Sequence, residues 1–138
     1  MSAHRPDQTG QASRGMLLAS WRSMAGSKWR LVEQTLTDIL TLAEGLDQAA
    51  LLRSRLTRAQ VHGQLLTIAD ALQALSVDHV ESAPELNWRG WITARVELAS
   101  DQLETRNAAL WAAVSALVPE TLIWLRVYRD QRPSFFEE

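Results

Sequence analysis

The chain contains no cysteine, which excludes disulfides, thiolate zinc sites and a cysteine nucleophile together. Neither sign of charge dominates: 14 basic residues stand against 16 acidic ones, a net of −2. No overall field therefore draws the molecule to nucleic acid or anionic lipid. No stretch reaches the ~20 consecutive apolar residues that a membrane span requires. The run Met16-Leu17-Leu18-Ala19 is too short for a signal-peptide core, and Trp21-Arg22 ends it. A cytoplasmic location is the resulting expectation, with no membrane partner. Glycine-rich phosphate loops, His-Glu-x-x-His, nucleophile elbows and calcium loops are all missing. The three histidines, His4, His62 and His79, are scattered, so no metal or other cofactor is expected.

What is present describes one soluble domain. Hydrophobic residues make up 46% and charged residues 22% of 138 positions, enough for a single core. Charge is unevenly spread: residues 1–30 hold Arg5, Arg14, Arg22, Lys28 and Arg30 against Asp7 alone. That is a net of +4, which leaves −6 on the remainder. Residues 1–27 read as a basic, partly disordered N-terminal extension, 28–130 as the folded body and 131–138 as a C-terminal tail.

The body is helical by periodicity. Val32, Leu36, Ile39, Leu40 and Ala43 recur at steps of three and four, with Ser27 a candidate cap and Gly45 a candidate stop. Asp47 opens a short second helix carrying Leu51 and Leu52. Thr57-Arg58-Ala59-Gln60 fits a capping box, and Val61, Leu65, Ile68, Leu72 and Leu75 line one face behind it. Asp78 to Pro84 reads as a loop, Pro84 imposing an extended entry to the next helix. Trp88, Trp91, Ile92, Ala99 and Leu103 make the stripe of that fourth helix. Leu110, Trp111, Val114, Leu117 and Val118 begin a fifth, which Pro119 either kinks or restarts before Leu122, Leu125 and Tyr128. Alternation bounded by turn dipeptides is absent, so strands are not expected. The fold class is all-α, an up-and-down bundle of about five helices.

Six tryptophans are many for this length. Trp88, Trp91, Trp111 and Trp124 fall on or near apolar faces and read first as core; a role at a subunit interface is the sharper reading. Trp21 and Trp29 lie in the basic segment, where they dock on the bundle or stack on bases. Glu97, Asp101 and Glu104 share one face by spacing and read as solvated. Arg55 and His62 straddle the expected helix start at Thr57 and are not read as a catalytic pair.

Five segments, in order, carry a family resemblance. They are Thr37-Asp38-Ile39-Leu40 leading to Glu44-Gly45-Leu46; Val61 to Leu75; Pro84-Glu85-Leu86-Asn87-Trp88; Arg95, seven residues after Trp88; and Ala109-Leu110-Trp111 with Leu117-Val118-Pro119-Glu120. Over residues 29–128 the chain resembles the HepT-like branch of the HEPN superfamily. The resemblance implies an all-helical homodimer of a kind commonly paired, as a toxin, with a small nucleotidyltransferase antitoxin. It implies a motif Arg-Asn-x-x-x-His-x-Tyr that cuts RNA without metal across a dimer cleft. The arginine would hold phosphate, the histidine would move the proton, and the tyrosine would accept nucleotide from the antitoxin.

This chain reads Arg95-Val96-Glu97-Leu98-Ala99-Ser100-Asp101-Gln102. Ser100 replaces the histidine and Gln102 the tyrosine, so only the arginine of the motif is kept. On an ideal helix seven residues return to within about 20° of the same face, which would set Gln102 beneath Arg95. Loss of a proton-transfer group worth roughly 10²–10⁴ in rate leaves little nuclease activity. The expectation is a non-catalytic interaction or regulatory module that binds through Trp88, Trp91, Arg95 and Ala99, with a second copy, a nucleotidyltransferase-type protein or RNA as partner. The alternatives are an active metal-independent ribonuclease built around Arg95 and a helical structural or ligand-binding assembly subunit.

Overall fold

The computed structural model describes residues 26–136, with the side chain of Phe135 excepted. Helix α1 occupies residues 26–43. It is followed by α2 (Gln48–Arg53), α3 (Arg55–His79), α4 (Trp88–Leu98), α5 (Leu103–Ala112) and α6 (Val118–Gln131). A π-helical segment, Ala113–Leu117, joins α5 to α6 without a break, and a 3-10 turn, Pro133–Phe136, follows α6. Since α5, the π segment and α6 form one rod, the described residues make five helical rods and no strand. An all-α bundle, as the periodicity predicts, is what this chain forms.

The stripes close on one another. Val32, Leu36 and Ile39 of α1, Val61, Leu65, Ile68, Leu72 and Leu75 of α3, and Trp91 and Leu98 of α4 are buried with Leu110, Val114, Leu117, Leu122 and Leu125 of the long rod. Each large aliphatic side chain taken from water contributes about 1.5–3 kcal/mol. That contribution, more than local propensity, holds the short helices in place. Helix α3 packs along α4, and α4 against α5. Trp29 of α1 closes the other side, edge-on to His79 at 5.9 Å and to Trp88 at 6.2 Å between centroids. Arg129 of α6 pairs with Glu33 of α1, and Phe136, buried behind the 3-10 turn, lies under the Arg129 guanidinium at 5.0 Å.

Several element ends depart from expectation. Backbone is already helical at residue 26, so Ser27 lies within α1 and does not cap it. Gly45 does end α1, at φ +75°, a left-handed conformation glycine adopts without a Cβ penalty. Asp47 caps α2 by accepting from the Ala50 N–H at 2.8 Å. Helix α3 begins at Arg55, not Thr57, because Ser54 alone separates it from α2; Thr57 falls in its first turn, where it accepts from the Ser54 hydroxyl at 2.9 Å.

Pro119 falls where α-helical spacing restarts, in the first turn of α6 directly after the π segment. The Val118 N–H reaches back five residues to the Ala113 carbonyl. Pro119 then stands in the first turn of α6, a position that tolerates a residue without an N–H. The unbroken rod Leu103–Gln131 is 29 residues long and, by length and composition alone, apolar enough to cross a membrane. The expectation concerned runs of apolar residues, which Glu104, Arg106, Glu120 and Arg126 interrupt here; it is the average composition of the rod that reaches the length of a span. The rod carries Leu110, Val114, Leu117, Leu122 and Leu125 of the core, which accounts for its composition without a membrane.

Candidate functional site

Helix α4 starts where its sequence supplies a cap. The Asn87 side chain accepts from the Gly90 N–H at 2.8 Å. The preceding loop is tied down by Tyr128 of α6, whose hydroxyl donates to Glu85. Arg132 donates to the Ser82 carbonyl at 2.7 Å and lies 4.7 Å over the Tyr128 ring. Burial, then the hydrogen bond to Glu85, pushes the Tyr128 phenol far above the ordinary tyrosine range. The same hydrogen bond, helped by the residue's own backbone N–H and the Arg132 charge, holds the Glu85 carboxyl below its ordinary value.

The tryptophans are mostly spent inside the chain. Trp91 is 2% exposed and donates to the Thr121 hydroxyl at 2.9 Å. Trp88, half-buried, donates to the Ala83 carbonyl at 2.8 Å. Trp29 is buried, and Trp124 stacks, tilted, on Tyr128 at 6.2 Å. Trp21 and the rest of the N-terminal extension to residue 25 lie outside the described residues.

The motif positions do not assemble. Arg95 Nε donates to Asp70 of α3 at 2.6 Å, with side chains 48% and 60% exposed. Helix α4 stops at Leu98, so its expected extension through Ser100, Gln102 and Leu103 is not formed. Ala99 is the exposed C-cap. The Ser100 hydroxyl accepts from the Gln102 N–H at 3.1 Å, and Gln102 is the N-cap of α5. The helical repeat that would set Gln102 beneath Arg95 is broken by this turn. Glu97 lies on α4, Asp101 in this turn and Glu104 on α5, so the three share no helix face.

The end of α4 is capped by a distant residue. His62 Nε2 lies 2.7 Å from the Leu98 carbonyl. A carbonyl only accepts, so Nε2 carries the proton and satisfies one of the orphan acceptors at the helix end.

Two concavities flank α3. Toward its C-terminal end, a groove of about 260 Å³ between α3 and α4 is lined by Ala69, Leu72, Trp88, Ile92, Arg95 and Val96, among others. Ile92 and Val96 are 60% and 69% exposed, so Ile92, expected in the core stripe, faces solvent. Toward the N-terminal end, a cleft of about 260 Å³ between α3 and α5 gathers Arg55, Arg58, His62, Arg106 and Asn107. Arg55 and His62, expected to straddle a helix start, both lie on α3 and both line this cleft. Among the described residues no three His, Asp or Glu side chains gather as a metal ion would need.

Compared with known proteins, the chain matches no family model, no curated protein and no solved structure.

Proposed function

We propose that this chain is a non-catalytic helical interaction module that works as a homodimer through the face formed by α3 and α4. The observation that carries this reading is the apolar strip of Ile92 and Val96, more than half exposed, beside the Arg95–Asp70 pair. Val77, 80% exposed, stands one turn of α3 beyond Gln73 of the same groove. A two-fold interface must be self-complementary. A face that carries an apolar strip and both members of an ion pair meets that requirement, since two copies turned on each other can exchange Arg95–Asp70 partners.

The resemblance to HepT-like HEPN proteins supports the same reading, because it implies a dimer through this region. It adds a small nucleotidyltransferase-type protein as a second partner, with RNA a weaker one. Catalysis is not part of the proposal: Arg95 is engaged by a carboxylate, and Ser100 and Gln102 are engaged in a turn. Among the described residues no histidine lines the groove beside Arg95.

Light scattering over a range of concentrations tests the dimer. The wild-type chain is expected to have twice the monomer mass, and the double variant Ile92→Asp/Val96→Asp to be a folded monomer. Arg95→Ala removes an exposed pair worth about 0–1 kcal/mol, so it should leave the melting temperature nearly unchanged while weakening association. A wild-type chain that stays monomeric at every concentration would sink the proposal, as would RNA cleavage that Arg95→Ala abolishes.

A further inference from the structure

We infer that the cleft between the start of α3 and α5 is a binding site for a dianionic phosphoryl group, as carried by inorganic phosphate and small phosphate monoesters. The chain is net acidic, with 16 carboxylates to 14 basic residues, yet this cleft is lined by three arginines, a histidine and an asparagine and by no carboxylate. Elsewhere Arg95 and Arg129 hold acidic partners. Neither Arg55 nor Arg106 has an ion-pair partner among the described residues. Three guanidiniums that line one cleft with no carboxylate among its lining residues give it a positive field that an anion complements.

Two of the groups, Arg58 and His62, are held in place before any ligand arrives. Arg58 donates to the Leu52 carbonyl at the end of α2, which fixes its fork at the cleft wall. His62 Nε2 donates to the Leu98 carbonyl, which fixes the ring as a wall of the cleft with Nδ1 an acceptor, so the donors for an oxyanion are the arginines and Asn107. Arg55 is the first residue of a 25-residue helix, so the helix dipole adds to the same field. Ala59 and Leu110 supply an apolar floor. Guanidinium forks match phosphate oxygens in pairs, and Asn107 offers a further donor.

Charge decides between phosphate chemistries. A phosphodiester brings one negative charge and would leave most of the cationic cluster uncompensated, whereas a monoester or free phosphate brings up to two. A cleft of about 260 Å³ lies at or below the lower end of the range for drug-sized ligands, which fits a small monoester. The cleft and the α3–α4 groove occupy opposite ends of α3, so this site stands whether or not the chain dimerises.

Titration calorimetry on the full chain tests it with three probes: inorganic phosphate, glycerol 3-phosphate and an oligouridylate without terminal phosphates. Saturable binding of phosphate or glycerol 3-phosphate is expected, one per chain and weaker at higher salt. The tighter of the two tells whether the free ion or an ester is preferred. Arg106→Ala should weaken binding about tenfold or more, and Arg106→Lys should recover only part of it. Arg55→Ala, at an exposed residue with no partner, gives the same test without risk to the fold. Arg126→Ala, outside the cleft on α6, should leave affinity unchanged. The His62 ring resonances should shift on addition of phosphate. No saturation up to about 10 mM overturns the inference. So does an equal loss from Arg126→Ala, which would mean diffuse charge. An oligouridylate that binds tighter than the monoester, with the same arginine dependence, overturns it in favour of a nucleic-acid backbone.

Discussion

The indole N–H of Trp91 donates to the Thr121 hydroxyl, and that hydroxyl donates in turn to the Leu117 carbonyl at 2.7 Å. Both side chains are at most 2% exposed. Leu117 is the last residue of the π segment and Thr121 lies in the first turn and a half of α6. Helix α4 is thereby tied to the one place where the long rod departs from α-helical spacing. A buried indole N–H needs an acceptor, and a core threonine needs a reason to be there. Each residue supplies the other's.

Thr121→Val keeps the shape of the side chain but leaves the Trp91 N–H buried without an acceptor. It should destabilise the fold by about 1–3 kcal/mol in urea denaturation. In a Trp91→Phe background the donor is gone, so the Thr121→Val penalty should shrink by about 1 kcal/mol or more. Equal penalties in both backgrounds would show that this bond contributes nothing.

Gly90 is the second sensitive position. A Cβ there would stand 2.5 Å from Nδ2 and 2.8 Å from Oδ1 of Asn87, the oxygen that caps α4. In an unobstructed helix Gly→Ala gains roughly 0.5–1 kcal/mol. Here the methyl group displaces the cap, whose own loss is worth about 0.5–2 kcal/mol. Gly90→Ala should therefore lower the melting temperature, and in an Asn87→Ala background the same change should raise it. A stabilising Gly90→Ala in the wild-type chain would refute a capping role for Asn87.

The helices that were legible in the sequence are those whose ends coincide with local signals. Val61 to Leu75 repeats at helical spacing, and Gly45 and Asp47 bound the turn between α1 and α2 as their residue types demand. The end of α4 carries no such signal. Leu98-Ala99-Ser100-Asp101-Gln102 contains neither glycine nor proline, and Leu103, although 54% exposed, continues the apolar period. The helix stops with its last carbonyl taken by His62, 36 residues upstream. Separation in sequence also hides the cationic cleft: Arg106 is remote from Arg55, Arg58 and His62, and only the packing of α5 on α3 brings them together. Asn87 as a cap was the one missed feature with a local cue, an asparagine three residues before a glycine at a helix start.

Tyr128 and Glu85 give the fold opposite sensitivities at the two ends of the pH scale. Glu85 is held below the ordinary glutamate value of about 4.3. Its contribution is therefore present above that pH and lost as pH falls through the lower folded-state value. Glu85→Gln should flatten the acid limb of a plot of stability against pH. Tyr128 is shifted upward, by burial first and by Glu85 second, so its contribution is complete below the ordinary tyrosine value of about 10 and lost as pH rises beyond it. Because Tyr128 is the only tyrosine in the chain, tyrosinate absorbance reports this one phenol. In the native protein it should stay silent through the ordinary range and then appear in step with loss of helical circular dichroism, since the phenol ionises once the bundle opens. In Glu85→Gln the onset should move to lower pH, the negative neighbour being gone. Tyrosinate appearing near its ordinary pH while the dichroism is unchanged would mean that the Tyr128 hydroxyl is neither buried nor bonded to Glu85 in solution.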